Sequence, residues 1–553
     1  MKKHTVNILM IVFLGLGITL GGCGLFDDDN GPSENFSVNT YSPDTQGTIS
    51  FSLPGADDGA EYTMIAVSHA MQAADNIYSM SKGTVATGEG GGMKPTAQQL
   101  QLSKRWSPKA LALETKLRMQ EKEIVERGLV DKMADYTKDT GYHRTKADGD
   151  TCTSDIQCGN MEFCDKDTCR GTLTLNYTDP DTMDVEPVNA VVKRISETSI
   201  IVVDEDDDPS ADDIDKLGKW FDQISYPRDM AFFGENLDKT YLDRDGNGRI
   251  IIFMTSRLNA TGTFAGFFNS VDFLSKSQAP DSNERDMFYT VVPDSENPIG
   301  LVHATLAHEF QHMINFATRV IQRVLRDQKS AINSALWLNE GLAHLAEDLC
   351  GFGDDTQGTV YKYLQDTSSI SLAFTNSDGE EDTIEARGMA YLLMRYVFER
   401  NGGVAYSGTD GSISDKGGAA LLNSFFAGDD TGIDNLNAAL GSNYKDTFNN
   451  WLIALAMDGT GTTDDAKYNY NELETDSLTG QQHGISLRGT RNISGNSLTF
   501  SGPNTSSFFD SEYDGVVRSL GAEYLTLSAT NATDVMLEAD PLSQVSMIVI
   551  RTK

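Results

Sequence analysis

The stretch Ala307-His308-Glu309-Phe310-Gln311-His312 is the most informative part of this 553-residue chain. Residues four apart share one face of a helix, so His308 and His312 can bind one Zn²⁺ while Glu309 activates the attacking water. Apolar residues at helical spacing predict the packing face on the other side: Leu306, Phe310, Met313 and Ala317. The pattern predicts a zinc-dependent hydrolase centre, and the alternative is a pair of ordinary helix histidines.

A second helix is predicted over residues 337–347, where WLNEGLAHLAE carries a leucine stripe and a polar face. Catalytic zinc takes three protein ligands and leaves one position for water, so two His and one Glu form a catalytic set. Glu340 is the predicted third ligand. His344 is the alternative, but a three-His site leaves the Asn-Glu-Gly turn unexplained. Glu347 is either a solvated carboxylate or a group that orients a ligand histidine.

Together the two motifs resemble the gluzincin pattern, and within it the hyicolysin-type family of secreted bacterial neutral metallopeptidases. The resemblance covers about residues 195–405 and includes four further segments: 243–253, 265–268, 282–285 and 388–403. It implies a zincin-like fold that hydrolyses peptide bonds. It also implies that His308, His312 and Glu340 bind zinc and that Glu309 is the general base.

The chain departs from aminopeptidase relatives that share the Asn-Glu-Gly-like turn. Between His312 and Glu340 there are 27 residues, so an extra helical or loop segment is predicted there. Those relatives have an oxyanion-stabilising Tyr before a basic-Gly pair, and none precedes Arg387-Gly388 here. Tyr391 is a substitute, or else a core Tyr on an amphipathic helix. No Gly-x-Met-Glu-Asn-like stretch is present, which favours an endopeptidase over an aminopeptidase.

The first residues are typical of a bacterial lipoprotein. A basic start is followed by an apolar run of 13 residues, Ile8 to Leu20, which is short for a membrane span and suits a signal peptide. Leu20-Gly21-Gly22-Cys23 resembles a lipobox. We therefore predict lipid on Cys23 and a location in the cell envelope, outside the cytoplasm, at the outer membrane or cell surface. The alternative is an ordinary signal peptide or an unmodified apolar start.

The charge limits the partners of the chain. Lys and Arg number 44 against 81 Asp and Glu, a net charge of −37, which argues against binding to nucleic acid or anionic lipid. The predicted partners are a protein or peptide substrate and, through Cys23, the membrane. We expect a monomer.

Four cysteines crowd into a short stretch: Cys152, Cys158, Cys164 and Cys169. In an exported protein they predict a two-disulfide loop with three connectivities open, and a zinc knuckle is the alternative. Cys350 is predicted to be a buried free thiol.

Asp243-Arg244-Asp245-Gly246-Asn247-Gly248 has oxygen side chains at alternate positions, as calcium loops do. Met254 stands where an EF-hand has Glu, so this is not a full EF-hand. Calcium binding by Asp243, Asp245 and Asn247 is one hypothesis, and a plain turn is the other.

The predicted fold class is α+β and multidomain, with a zincin-like metallopeptidase domain between two β regions. A charged stretch, residues 98–136, is predicted to be a linker or a prosegment-like arm. The predicted domains are a signal peptide (1–22), a flexible tether (23–46), an N-terminal β region with the charged helical arm (47–150), a Cys-rich loop and linker (151–194), the metallopeptidase domain (195–482) and a C-terminal β-sandwich-like domain (483–553).

A different class of function is a catalytically silent surface lipoprotein that binds partners on the same scaffold. Intact Glu309 argues against it, because a silent descendant does not need the base.

Overall fold

A computed structural model describes residues 36–71, 74–83, 108–130, 161, 163–165, 168–180, 182, 184–262, 265–373, 382–406, 412–493, 496–508 and 510–553. Helices and sheets are combined, so the predicted α+β class is confirmed. The helices are α1 (Pro108–Glu126), α2 (Ala211–Trp220), α3 (Tyr226–Phe233), α4 (Ser256–Thr261), α5 (Ile299–Phe316), α6 (Arg323–Leu325), α7 (Leu336–Leu349), α8 (Asp354–Gln365), α9 (Ile384–Arg400), α10 (Gly418–Ala427), α11 (Gly432–Leu440) and α12 (Tyr444–Met457).

The strands are β1 (Ser37–Tyr41), β2 (Thr48–Leu53), β3 (Ala60–Ser68), β4 (Asp75–Gly83), β5 (Phe163–Asp165), β6 (Thr168–Arg170), β7 (Thr172–Thr178), β8 (Val185–Ile195), β9 (Ser199–Asp204), β10 (Ile250–Met254), β11 (Gly266–Phe268), β12 (Met287–Thr290), β13 (Val404–Tyr406), β14 (Ile413–Asp415), β15 (Glu474–Thr475), β16 (Gln482–His483), β17 (Arg488–Ile493), β18 (Asn496–Ser501), β19 (Ser506–Ser507), β20 (Glu512–Arg518), β21 (Ala522–Ala529), β22 (Thr533–Ala539) and β23 (Val545–Arg551).

A six-stranded sheet, in the order β11-β12-β10-β9-β8-β7, forms the centre of the molecule. Its three middle strands β9, β10 and β12 are parallel, and β11 pairs antiparallel with β12 at the edge. Every residue of β9 and β10 is buried. Their near-continuous apolar sequences, SIIVVD and IIIFM, are typical of strands covered on both faces.

Helices α5, α7 and α9 pack side by side, and α5 also lies against β11. A glycine permits the close approach of α7 to α9, because a Cβ at Gly341 would lie 3.1 Å from the Ala390 carbonyl oxygen. Between α5 and α7 the chain continues through a π-helical segment, Ala317–Gln322, and then α6. The extra segment predicted between the two motifs is therefore mainly helical.

Strands from both ends of the described chain form one β-sandwich. Its sheets have the orders β1-β23-β3-β21-β19 and β2-β22-β4-β20, so each of the early strands β1 to β4 pairs only with late strands. Side chains from both sheets share one apolar core, which includes Phe51, Met64, Leu525 and Leu537. This pairing corrects the prediction of two separate β regions, because hydrogen bonding between distant segments cannot be read from local periodicity.

The central sheet also begins before residue 195. Strands β7 and β8 pair antiparallel with each other, and β8 pairs with β9, so residues predicted as a linker belong to the sheet. The reason is the apolar alternation of β7, whose Leu173, Leu175 and Tyr177 are buried. In the described part of the chain no helix has the length and apolarity needed to cross a membrane.

Candidate metal centre

Helix α5 brings the two predicted histidine ligands together. Their Nε2 atoms lie 3.1 Å apart, and both side chains are buried. The predicted apolar stripe is buried as well, with Leu306, Phe310 and Met313 in the main core. Packing on that stripe holds the helix, and both imidazoles turn toward α7.

Glu340 completes a triangle of donor atoms. Glu340 Oε2 lies 3.5 Å from His308 Nε2, and Glu340 Oε1 lies 3.6 Å from His312 Nε2. Ligands at zinc-bond lengths in a tetrahedron are separated by about 3.3 to 3.6 Å. The separations of 3.1, 3.5 and 3.6 Å are close to this range, so the three predicted ligands lie near enough to one another to bind a single metal ion.

The chemistry of these donors also fits a metal. Neither Glu340 oxygen accepts a hydrogen bond of normal geometry from a described residue, although both are fully buried. A buried carboxylate is costly unless nearby cations balance its charge; Arg387 lies 3.0 Å from Glu340 Oε2, and a metal ion between the three side chains would be a second cation beside it. Burial by itself would raise the pKa of Glu340, but Arg387 and His312 lower that pKa well below its usual range.

Glu309 lies beside the triangle and is fixed by the sheet edge. Its Oε2 accepts a hydrogen bond of 3.0 Å from the Phe268 backbone amide of β11. Burial raises the pKa of this carboxyl group to about 7, against the opposing effects of His308 and Arg118. A carboxylate with such a pKa can take and return a proton near neutral pH.

Glu347 is buried and contacts a predicted ligand, so it is not a solvated helix carboxylate. Its Oε1 lies 2.7 Å from His308 Nδ1 and 2.9 Å from His344 Nδ1, and its Oε2 accepts from Thr356 Oγ1 at 3.0 Å. Burial tends to lower the pKa of His308, but Glu340 and Glu347 raise it to about 9. A carboxylate on Nδ1 directs Nε2 toward the metal, as outer-shell partners of zinc-bound imidazoles do.

His344 remains near enough to be a rival ligand. Donor atoms of His308, Glu340 and His344 lie within 4.8 Å of one another. We favour His312, because its Nε2 forms the compact triangle with the other two ligands.

Glu347→Gln is expected to weaken zinc binding by about 10- to 100-fold, because a neutral amide polarises the His308 imidazole less than a carboxylate does. Competition with a fluorescent zinc chelator measures the affinity. Glu235→Gln, at an exposed position outside the site, is the matched control. Equal zinc affinities of the two variants would contradict the role given to Glu347.

Tyr391 is not placed to stabilise an oxyanion. Its hydroxyl donates to Asp348 Oδ2 at 3.0 Å, and Arg395 Nη1 contacts the same oxygen at 2.9 Å. This corrects the substitute role suggested for Tyr391. The reason is position along α9: Tyr391 lies one turn after Arg387 on the same face, where it meets Asp348 in a buried polar network instead of Glu340.

Three charged residues that lie close to the metal centre were not among the predicted site residues. Arg387 Nη1 lies 3.0 Å from Glu340 Oε2, and Arg118 Nη2 lies 3.8 Å from Glu309 Oε2. Glu114 forms an ion pair with Arg387. The basic-Gly pair Arg387-Gly388 in the sequence could have indicated that Arg387 lies at the site. The other two lie on α1, and nothing in their local sequence points to a site so far along the chain.

The Asp-rich turn differs from the predicted calcium set. Asp243 and Asp245 lie near Asp286, with one carboxylate oxygen of each within 4.8 Å of the others. Asn247 instead uses its Oδ1 to accept from the Arg249 amide at 2.7 Å. Asp245 Oδ2 is also paired with Arg285 at 2.9 Å. The oxygens of Asp243 and Asp245 also accept backbone amides of the turn, from Gly248 and Asn247, and calcium binding by Asp243, Asp245 and Asn247 stays a prediction.

Cys350 is a buried free thiol, as predicted, and its Sγ lies 3.4 Å from Asp229 Oδ1. Cys164 and Cys169 are partners in the backbone register of the β5–β6 hairpin. Cys152, Cys158 and the lipobox Cys23 lie outside the described residues. The disulfides and the lipid therefore stay predictions.

Comparison with known proteins supports a metalloprotease. The chain is 28% identical over 196 residues to the neutral metalloprotease ShpI of Staphylococcus hyicus. This finding says what the chain is similar to and does not establish which protein it is. It covers 33% of this chain and 41% of that protein, so the chain matches less than half the length of this relative. No family model matches the chain. The similarity suggests a hydrolase with a metal cofactor and a protein or peptide substrate.

Proposed function

We propose that this chain is a zinc-dependent endopeptidase of the hyicolysin type, with a zincin-like catalytic domain, and that it cleaves proteins outside the cytoplasm. The triangle of His308, His312 and Glu340, with separations of 3.1, 3.5 and 3.6 Å beside Glu309, carries the proposal. Two imidazoles and one carboxylate are a donor set typical of catalytic zinc. The similarity to a neutral metalloprotease supports proteolysis as the reaction.

The residues divide the chemistry among them. When bound, zinc lowers the pKa of a water molecule and polarises the scissile carbonyl. Glu309 takes the proton of the attacking water and delivers it to the leaving amine nitrogen. The Phe268 amide and the Arg118 guanidinium both contact Oε2 of Glu309. Oε1 is therefore the oxygen that takes the proton. Glu347 holds the His308 ring during these steps.

Removal of the metal is expected to abolish hydrolysis. Full-length protein is treated with a zinc chelator and assayed on casein and on a short fluorogenic peptide, and zinc is then added back. Because α1 lies over the site, the assay is repeated with Glu114→Ala protein, which lacks the α1 carboxylate that lies within 4.8 Å of His308. Hydrolysis that resists the chelator, or a protein that binds no zinc, would contradict the proposal.

We also propose that the protein is held at the cell envelope through lipid on Cys23, on the basis of the lipobox-like Leu20-Gly21-Gly22-Cys23. Incorporation of labelled palmitate that persists in Cys23→Ala protein would exclude this anchor.

One observation favours a silent binding protein instead. His308, His312, Glu309 and Glu340 are all buried, so a substrate cannot reach them in this arrangement. Burial of a complete donor set and its base is also the property of a closed enzyme. The choice between a silent binding protein and a closed enzyme depends on whether the segment that covers the site can be displaced.

A further inference from the structure

Helix α1 covers the metal centre with a face that is unusual for a helix in a core. Three of its buried residues are charged, Glu114, Arg118 and Glu121, and they recur at helical spacing beside the buried Leu113, Leu117 and Ile124. Burial of charge is costly unless the opposite surface supplies partners. The face of α1 is therefore matched to a charged surface.

That surface is the candidate active site. Glu114 pairs with Arg387, the cation next to Glu340, and Thr115 Oγ1 donates to Asp382 at 3.0 Å. Arg118 Nη2 approaches the Glu309 carboxylate at 3.8 Å. It also donates to the carbonyl oxygen of Phe268 at 3.5 Å, next to the amide that holds Glu309. The helix thus contacts both the proposed base and the surroundings of a ligand.

One carboxylate of α1 lies close to a proposed ligand and to the proposed base. A carboxylate oxygen of Glu114, a ring nitrogen of His308 and an oxygen of Glu309 all lie within 4.8 Å of one another. The triangle of His308, His312 and Glu340 leaves one position of a tetrahedral zinc for water. A carboxylate is a normal zinc ligand, and this one lies beside His308 on the side of the base.

We propose that Glu114 is a fourth protein ligand of the metal, supplied by α1, and that it keeps the centre closed until α1 is displaced. This inference rests on the proposed function. Displacement exchanges the Glu114 carboxylate for water at the fourth position and withdraws Arg118 from Glu309. The full-length protein is then a latent enzyme, which accounts for the burial of the site.

The first test reads the ligands directly. Full-length protein is loaded with Co²⁺, and its visible absorption spectrum is compared among wild type, Glu114→Ala and Glu123→Ala. Glu123 is on the same helix but exposed, where it pairs with Arg127. We expect a changed spectrum only for Glu114→Ala, with transfer of the metal to a chelator faster by about tenfold or more. An unchanged spectrum and unchanged transfer rate would overturn the inference.

The second test measures whether loss of the Glu114 carboxylate raises peptidase activity. We expect Glu114→Ala to hydrolyse a short fluorogenic peptide faster than wild type, with Glu123→Ala equal to wild type. Glu114→Gln, which keeps the shape of the side chain, replaces Glu114→Ala if circular dichroism shows that the alanine variant is unfolded. If no variant binds metal, the proposed function fails. If all bind metal with the same spectrum, Glu114 only balances the charge of Arg387, and this inference alone fails.

Discussion

Protein carrying Glu309→Gln is expected to keep its metal and its fold and to lose about a hundred- to ten-thousandfold in kcat/KM, the usual contribution of a general acid–base group. A carboxamide has nearly the shape of the carboxylate, and its carbonyl oxygen can still accept the Phe268 amide. It cannot take a proton from water. Burial raises the pKa of Glu309 to about 7, and a general base works best when its pKa lies near the working pH.

The measurement needs an open site, so Glu309→Gln is placed both in wild type and in Glu114→Ala protein. Glu235→Gln in the same two backgrounds is the control, because Glu235 is exposed and outside the site. Zinc content shows whether the ligands are intact. Peptidase activity that survives in pure, zinc-loaded Glu309→Gln protein would remove Glu309 from the mechanism.

Loss of the Arg387 guanidinium is expected to destabilise the protein by about 3 to 5 kcal/mol, the cost of breaking a buried ion pair by removal of one partner. Arg387 is fully buried and contacts three acidic side chains, those of Glu340, Asp382 and Glu114. Arg387→Ala would leave all three carboxylates in the interior without this cation. The effect is largest without metal, because a bound metal neutralises Glu340.

Chemical denaturation followed by tryptophan fluorescence measures this loss, with chelator present so that metal binding does not contribute to stability. Arg127→Ala is the control, because Arg127 is exposed and its ion pair with Glu123 lies at the surface. Surface pairs contribute little. Equal shifts of the two transitions would mean that the acidic residues around Arg387 are neutral in the folded protein.

The local part of the site could be predicted from sequence, because helical spacing fixes which residues share a face. His308, His312 and Glu309 lie on α5 as their spacing requires, and Glu340 meets them through the packing of α5 on α7. The strands β9 and β10 could be recognised from their apolar runs. In each case a short window contains the whole pattern.

Long-range contacts could not be predicted in this way. Glu114 and Arg118 form part of a charged, helix-prone stretch whose partners lie on β11, α5 and α9. Tyr391 lies one helical turn after Arg387 on the same face of α9, yet the residue that it meets there is Asp348 and not Glu340. Asp243 and Asp245 have the spacing of a calcium loop, but the carboxylate of Asp286, which lies near them, comes from a distant part of the sequence. Each outcome depends on a neighbour that the local sequence does not contain.

The shared β-sandwich has a consequence for how the protein is made. Ile65 in β3 is flanked by Tyr524 of β21 and Ile548 of β23, so an early strand has no neighbours until the late strands have been synthesised. Contacts this distant are slow to form, and a waiting strand exposes unpaired edges that promote aggregation. The strands β1 to β4 must therefore be protected from contact with other chains until the late strands of the sandwich have been synthesised.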